Sequence, residues 1–193
     1  MNKNCIVILG DFFGLSNSIK SKIDEDKYSF IDIYEYLPFK KSLLSEGTFA
    51  LSEEAIEPIG GLKSYKTAHS LIKKHQLVIS EKLKVFTSIT IIAHITNIVG
   101  NCIEEFIQWI PPSIVVNIHA ITPFSFEGIE KQNSCWNTIT RLKNYQSQFS
   151  ELNIHIYDGR DNFQINWKNI LLSELFDMVF QRIAKNIINH TSK

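Results

Sequence analysis

Apolar residues fall along this chain in two rhythms. Four stretches are short and nearly unbroken: "IVIL" at Ile6–Leu9, "VFTSITIIAHI" at Val85–Ile95, "SIVVNIHAI" at Ser113–Ile121 and "LNIHIY" at Leu152–Tyr157. Runs of this kind are what strands buried on both faces of a sheet require. "YSFIDIYEY", Tyr28–Tyr36, alternates instead and is rich in β-formers, so it reads as a further strand. Between the strands the period lengthens. From Ile129 to Phe149 the residues Cys135, Ile139, Leu142, Tyr145 and Phe149 recur every three or four positions, which predicts a helix. Helices are also predicted over Thr67–Leu83, over Cys102–Ile110 (closed by Pro111-Pro112) and over Trp167–Ile188. A short one is predicted at "SIKSKI", with Ser16 or Asn17 as its cap. The region Leu37–Gly61, punctuated by Pro38, Gly47, Pro58 and Gly60-Gly61, is expected to be irregular.

Strands alternating with helices of this length call for parallel pairing, right-handed crossovers and helices on both faces. The expected fold is α/β: a Rossmann-like three-layer sandwich with a mostly parallel sheet. One domain over residues 1–193 is expected, with no internal repeat or linker.

Composition narrows the partners more than the fold. Twenty basic residues cancel twenty acidic ones, and no basic run stands out. Nucleic acid and anionic membranes are therefore not expected partners. No run approaches the roughly 18 apolar residues of a membrane span, and the N-terminal run stops at Gly10 and Asp11, too early for a signal peptide. A cytoplasmic protein without membrane insertion is expected. Cys5, Cys102 and Cys135 are odd in number and widely spaced, which predicts buried free thiols rather than a disulfide or zinc framework.

Several stretches carry candidate chemistry. "GDFFGLSN" follows the first strand, where a phosphate loop belongs, but fits neither glycine-rich signature; it reads equally as a plain turn. "GGLKSYKT" offers glycines, hydroxyls and Lys63 to an anion before a helix, or is simply a loop with a capped helix. The six histidines show no H-E-x-x-H and no carboxylate at ligand spacing, so no metal site is expected. His119 and His155, inside predicted strands, read as core or edge histidines. No nucleophile elbow occurs, and no catalytic residue is assigned. "AITPFSFEG", Ala120–Gly128, stops a strand at Pro123 and turns at Gly128. It leaves Glu127 at the carboxyl edge of the sheet, where open α/β sheets bind ligands. On the residues alone, a strand exit with a turn and a ligand-binding carboxylate both stand.

"PFSFEG" at the end of that strand resembles the corresponding segment of the tubulin/FtsZ family, which includes the bacterial cell-division GTPase. The order of elements agrees over nearly the whole chain. The resemblance implies the family's nucleotide-binding domain, with GTP or GDP as the cofactor to test and no other indicated. It implies that Glu127 is the ribose ligand and that Lys131 replaces the family's arginine, keeping charge but losing the bidentate fork. Gly10, Gly14 and Asn17 match the first phosphate loop, with Asn17 facing the guanine. Gly60 and Gly61 match a second loop. "LSELFDMVFQRI" resembles the family's central helix and places Phe176 on the base.

Two departures from the family weigh against catalysis. The signature "GGGTGTG" is replaced by "HITNIVG", which keeps only Gly100; β-branched residues there resist the geometry glycine supplies. The family's catalytic loop and second domain are also expected to be missing. The expectation is therefore a degenerate, non-hydrolysing (pseudo-GTPase) binding or assembly module. The alternative is a GTP-binding protein with weak or partner-dependent activity. The apolar residues of the last helix spread over about half its circumference when plotted at 100° per residue. An exposed face of Leu175, Val179, Phe180, Ile183 and Ile187 is expected to bind a second copy or another protein. Otherwise "LPFKKSLLSEGTFALSEE" would fold back over it.

Overall fold

The structure is a computed structural model, and it describes residues 4–10, 15–24, 26–36, 47–52, 62–158 and 171–191. Six strands form one sheet: β1 (Asn4–Leu9), β2 (Tyr28–Tyr36), β3 (Thr48–Ser52), β4 (Ser88–His94), β5 (Val115–Ile121) and β6 (Leu152–Tyr157). Their spatial order is β3-β2-β1-β4-β5-β6, and every neighbouring pair is parallel. The helices are α1 (Leu15–Lys20), α2 (Leu62–Lys74), α3 (Gln76–Leu83), α4 (Ile103–Ile107), α5 (Ile129–Asn144) and α6 (Leu172–Thr191). The expected α/β sandwich with a parallel sheet is the fold observed.

Alternation along each strand sorts the side chains into two cores. Cys5, Val7 and Leu9 of β1 point with Ile89 and Ile91 of β4 and with Val116 and Ile118 of β5 toward α2, α3, α4 and α5. Ile6, Ile8, Ile92 and Ile121 point the other way, toward α1 and α6. Asp32 is buried on this second face and pairs with Lys20 of α1. All three cysteines are buried free thiols, and burial pushes Cys5 and Cys102 up to about 12.

Besides α1, which runs Leu15–Lys20 with Ser16 and Asn17 inside it rather than as its cap, four expectations on the elements change. Thr48–Ser52 is a strand, not irregular chain; it adds to the edge of the sheet beside β2. A five-residue edge strand buries too little to leave a strong pattern. The helix expected over Thr67–Leu83 is two helices, since the chain tightens at His75, whose N–H bonds to Ile72 O rather than one residue further back. The helices expected to reach Ile110 and Phe149 stop at Ile107 and Asn144.

The fourth change concerns α6, where the expected exposed interface of Leu175, Val179, Phe180, Ile183 and Ile187 is corrected. All five are 0–7% exposed. The helix lies against both the sheet and α1, so a stripe wider than one sheet contact needs is consumed inside the chain. Its outward positions are mainly polar, with Glu174, Asp177, Gln181, Arg182 and Lys185 among them. Asp177 is tied to Ser18 of α1 and to Lys22 just beyond it. Residues 37–46 and 53–54 of the alternative cover lie outside the described residues, and 48–52 goes to the sheet edge instead. Among the described residues, no helix is long and apolar enough to cross a membrane.

Candidate functional site at the carboxyl edge of the sheet

Strand order reverses between β1 and β4, and in open α/β sheets the crevice outside that reversal is where ligands bind. Here the crevice is built mainly by the exit of β4, residues His94–Gly100. Gly10 ends β1 with φ +75°, in the left-handed region where glycine is favoured, and its N–H bonds to Ile33 O at 2.8 Å. A Cβ on Gly10 would stand 2.7 Å from Asn97 Oδ1. The Asn97 side chain thus rests on the end of β1. Its Oδ1 also accepts the Val99 N–H at 2.9 Å. Gly100 is fixed from the other side, since a Cβ there would come within 2.1 Å of the His94 carbonyl oxygen.

His94 joins this loop to the "PFSFEG" motif. Its Nε2 lies 3.4 Å from Glu127 Oε1, and its ring meets Phe176 edge-on at 6.4 Å. Glu127 closes a 3-10 turn by accepting the Phe124 N–H at 2.9 Å, while its other oxygen is 3.3 Å from Lys131 Nζ. Burial disfavours the charged carboxylate, but His94, the Phe124 amide and Lys131 outweigh it and hold Glu127 at about 2. Phe176 is buried, with its ring edge-on to Phe124 at 4.8 Å.

The expected residues are therefore gathered unevenly. Gly10, Gly100, Glu127 and Phe176 all converge on the segment His94–Asn97, and Lys131 joins through Glu127. Asn17 sits exposed on α1. Gly14, Gly60 and Gly61 lie outside the described residues. His94 and Asn97 were not singled out from the sequence. The usable signal was positional: a histidine ending one strand and a glutamate leaving the next parallel strand must meet at the same sheet edge.

Beside this centre, a cleft of about 960 Å³ opens between α2 and α5. Lys66 and Lys73 line one wall, Lys131 and Arg141 the other, and Thr96 and Asn101 also line it. His69 Nδ1 on α2 is 2.5 Å from Glu105, whose burial is outweighed by that hydrogen bond, so its carboxyl lies below the usual range. Arg141 is held by Glu104 at 2.7 Å. Among the described residues, no group of three or more His, Cys, Asp or Glu side chains is placed to hold a metal ion.

An open, all-parallel sheet with its crevice at a strand-order reversal defines the doubly wound α/β class. Solved structures place it more closely: the chain has the tubulin/FtsZ-like GTPase-domain fold. It superposes on an FtsZ mutant from M. jannaschii with a TM-score of 0.70 at 13% identity, covering 96% of this chain and 55% of that one. A protofilament of TubZ from bacteriophage PhiKZ gives 0.64 at 14% identity, covering 97% and 57%. A GDP-bound CetZ monomer from Haloferax volcanii gives 0.64 at 11% identity, covering 95% and 58%. The chain spans little more than half the length of these proteins. No family model matches it, and no curated protein matches it in sequence.

Proposed function

We propose that this chain is a tubulin/FtsZ-like domain that serves as a binding or assembly module and does not hydrolyse GTP on its own. The observation that carries the proposal is Asn97. Its side chain stands against Gly10 at the reversal point, where phosphates must approach backbone amides closely in folds of this class. A loop tied by Asn97 Oδ1 to Val99 N–H, with Gly100 packed closely against the His94 carbonyl, offers those amides little freedom to wrap an anion. Assembly is the use suggested by the TubZ protofilament among the proteins of this fold. Calorimetric titration with GTP, GDP and ATP in magnesium tests the reading. No saturable heat is expected, and micromolar, saturable GTP binding overturns it.

A second reading keeps the nucleotide and gives weak or partner-dependent turnover. It is favoured by the charge at the edge of the cleft, where Lys131, anchored to Glu127, faces Lys66 and Lys73 across an open volume. The GDP bound by the CetZ monomer of like fold points the same way. The same titration separates the two.

A further inference from the structure

At the end of the sheet opposite the carboxyl edge, the face beneath α6 turns from apolar to polar. Thr90 of β4, Asn117 of β5 and Asn153 of β6 stand side by side in register. His119 and His155 form the next row of this face, stacked at 4.9 Å. Helix-covered sheet faces normally present aliphatic side chains, because a buried polar group without a partner costs free energy. Here a cavity of about 310 Å³ opens over these residues, bounded by Ile187 of α6.

Several hydrogen-bonding groups on the cavity lining are left unengaged by the other described residues. Thr90 is only 7% exposed, yet its hydroxyl makes no hydrogen bond among the described residues. Ser88, half-buried, likewise makes no side-chain hydrogen bond among the described residues. Asn117 Oδ1 accepts from Asn153 Nδ2 at 3.1 Å, but the Asn117 amide nitrogen donates to nothing among the described residues. His119 is already engaged, with Nδ1 2.8 Å from Tyr157 Oη, and Tyr157 also accepts from Asn186. Among the described residues, the one formal charge on the lining is Glu151, an exposed residue whose Oε1 accepts from Asn153 at 2.8 Å. No lysine or arginine among the described residues lines the cavity.

We propose that this cavity is a binding site for a small neutral polyhydroxylated molecule of monosaccharide size. Among the described residues the lining carries a carboxylate and no cation, which disfavours phosphates and acids, and the polar lining disfavours an apolar guest. Hydroxyls of Thr90 and Ser88 and the amides of Asn4 and Asn117 both donate and accept, as do the neighbouring hydroxyls of a sugar. Tyr28 and Ile187 supply apolar surface for a ring. The volume holds roughly ten water-sized groups, enough for such a ring once its waters are displaced.

Amide-resolved NMR of the full chain tests this with D-ribose, D-glucose and myo-inositol as probes and glucose 6-phosphate as the charged control. At least one neutral probe should give saturable shifts confined to the amides of Ser88, Thr90, Asn117 and Asn153. Thr90→Val, which keeps shape and removes one hydroxyl, should weaken that response by roughly tenfold. Val115→Phe narrows the cavity with its polar groups intact and should abolish the response, melting curves having first established that both variants fold. A cavity that binds none of the three at tens of millimolar holds only water, and the proposal is then wrong. It is equally wrong if the response survives unchanged in both folded variants, or if glucose 6-phosphate binds more tightly than glucose.

Discussion

His94 Nε2 lies 3.4 Å from the carboxylate of Glu127 across the ends of two adjacent parallel strands. This contact ties the exit of β4 to the exit of β5, and Phe176 of α6 packs against the histidine from the second face. The motif that reads as a ribose ligand is therefore also the clasp of the sheet edge. The two roles make different demands and can be separated.

As a clasp, Glu127 should show itself in acid. Its carboxyl is held at about 2 against an ordinary 4.5. A depressed folded-state pKa contributes stability that is present above the unfolded value and lost as pH falls toward the folded one. Glu127→Gln keeps an acceptor for the Phe124 N–H but loses the charge. It should cost about 1–2 kcal/mol at neutral pH, discounted because Lys131 is solvent-screened. The gap between wild type and variant should close between pH 4.5 and 2. Urea melts across that window measure it, and a gap that stays constant would remove the charge from the account.

Burial inside α6 replaces the expected interface with a core. Phe180 is 1% exposed. Phe180→Ala should lose about 3–5 kcal/mol, as large apolar truncations do, without changing the sedimentation coefficient of the folded fraction. Phe180→Glu should fail to fold rather than dissociate a complex. A Phe180→Glu protein that remained folded, with an unshifted melting temperature, would return this face to the surface.

Why the sequence was legible in places and not in others follows from what each pattern encodes. β1, β4 and β5 are largely buried on both faces, so each wrote a nearly unbroken apolar run. β3 is a short edge strand and wrote almost nothing. The α6 stripe was legible as apolar, but periodicity reports how much surface is apolar, not what covers it; α1 and the sheet share the task. Glu127 was legible through a local motif. His94, its partner, belongs to another strand, and only the register between β4 and β5 brings the two together. Histidine spacing along the chain was the wrong coordinate for finding that contact.

Gly100 is the residue that the β4 exit tolerates least in substituted form. A methyl group there meets backbone, the His94 carbonyl oxygen at 2.1 Å, so no side-chain rotation relieves it. Gly100→Ala should destabilise by about 2–3 kcal/mol or more, at the upper end of what overpacking costs. Because His94 must shift, the acid sensitivity carried by Glu127 should diminish as well. Thermal melts at neutral and acid pH check both effects, and an unchanged melting temperature would mean that the loop adjusts freely.

The last test asks whether Asn97 is what keeps nucleotide out. Its side chain rests on Gly10 at the reversal point and also satisfies the Val99 N–H. Asn97→Ala removes both contacts. The lost acceptor should cost about 1 kcal/mol of stability, small enough to leave the domain folded. The emptied crevice gives an anion a path to the amides at the end of β1, so affinity for GTP should rise by about tenfold or more above the wild type. A fluorescent GTP analogue, displaced by unlabelled GTP but not by ATP, reads this directly. If wild type and variant bind equally well, Asn97 closes nothing and the crevice is open in solution. If neither binds while Asn97→Ala shows the expected small loss of stability, the obstacle lies in other residues of the edge. Phe176 is the first of these to examine, since the ring expected to stack on the base is instead packed against Phe124 and His94.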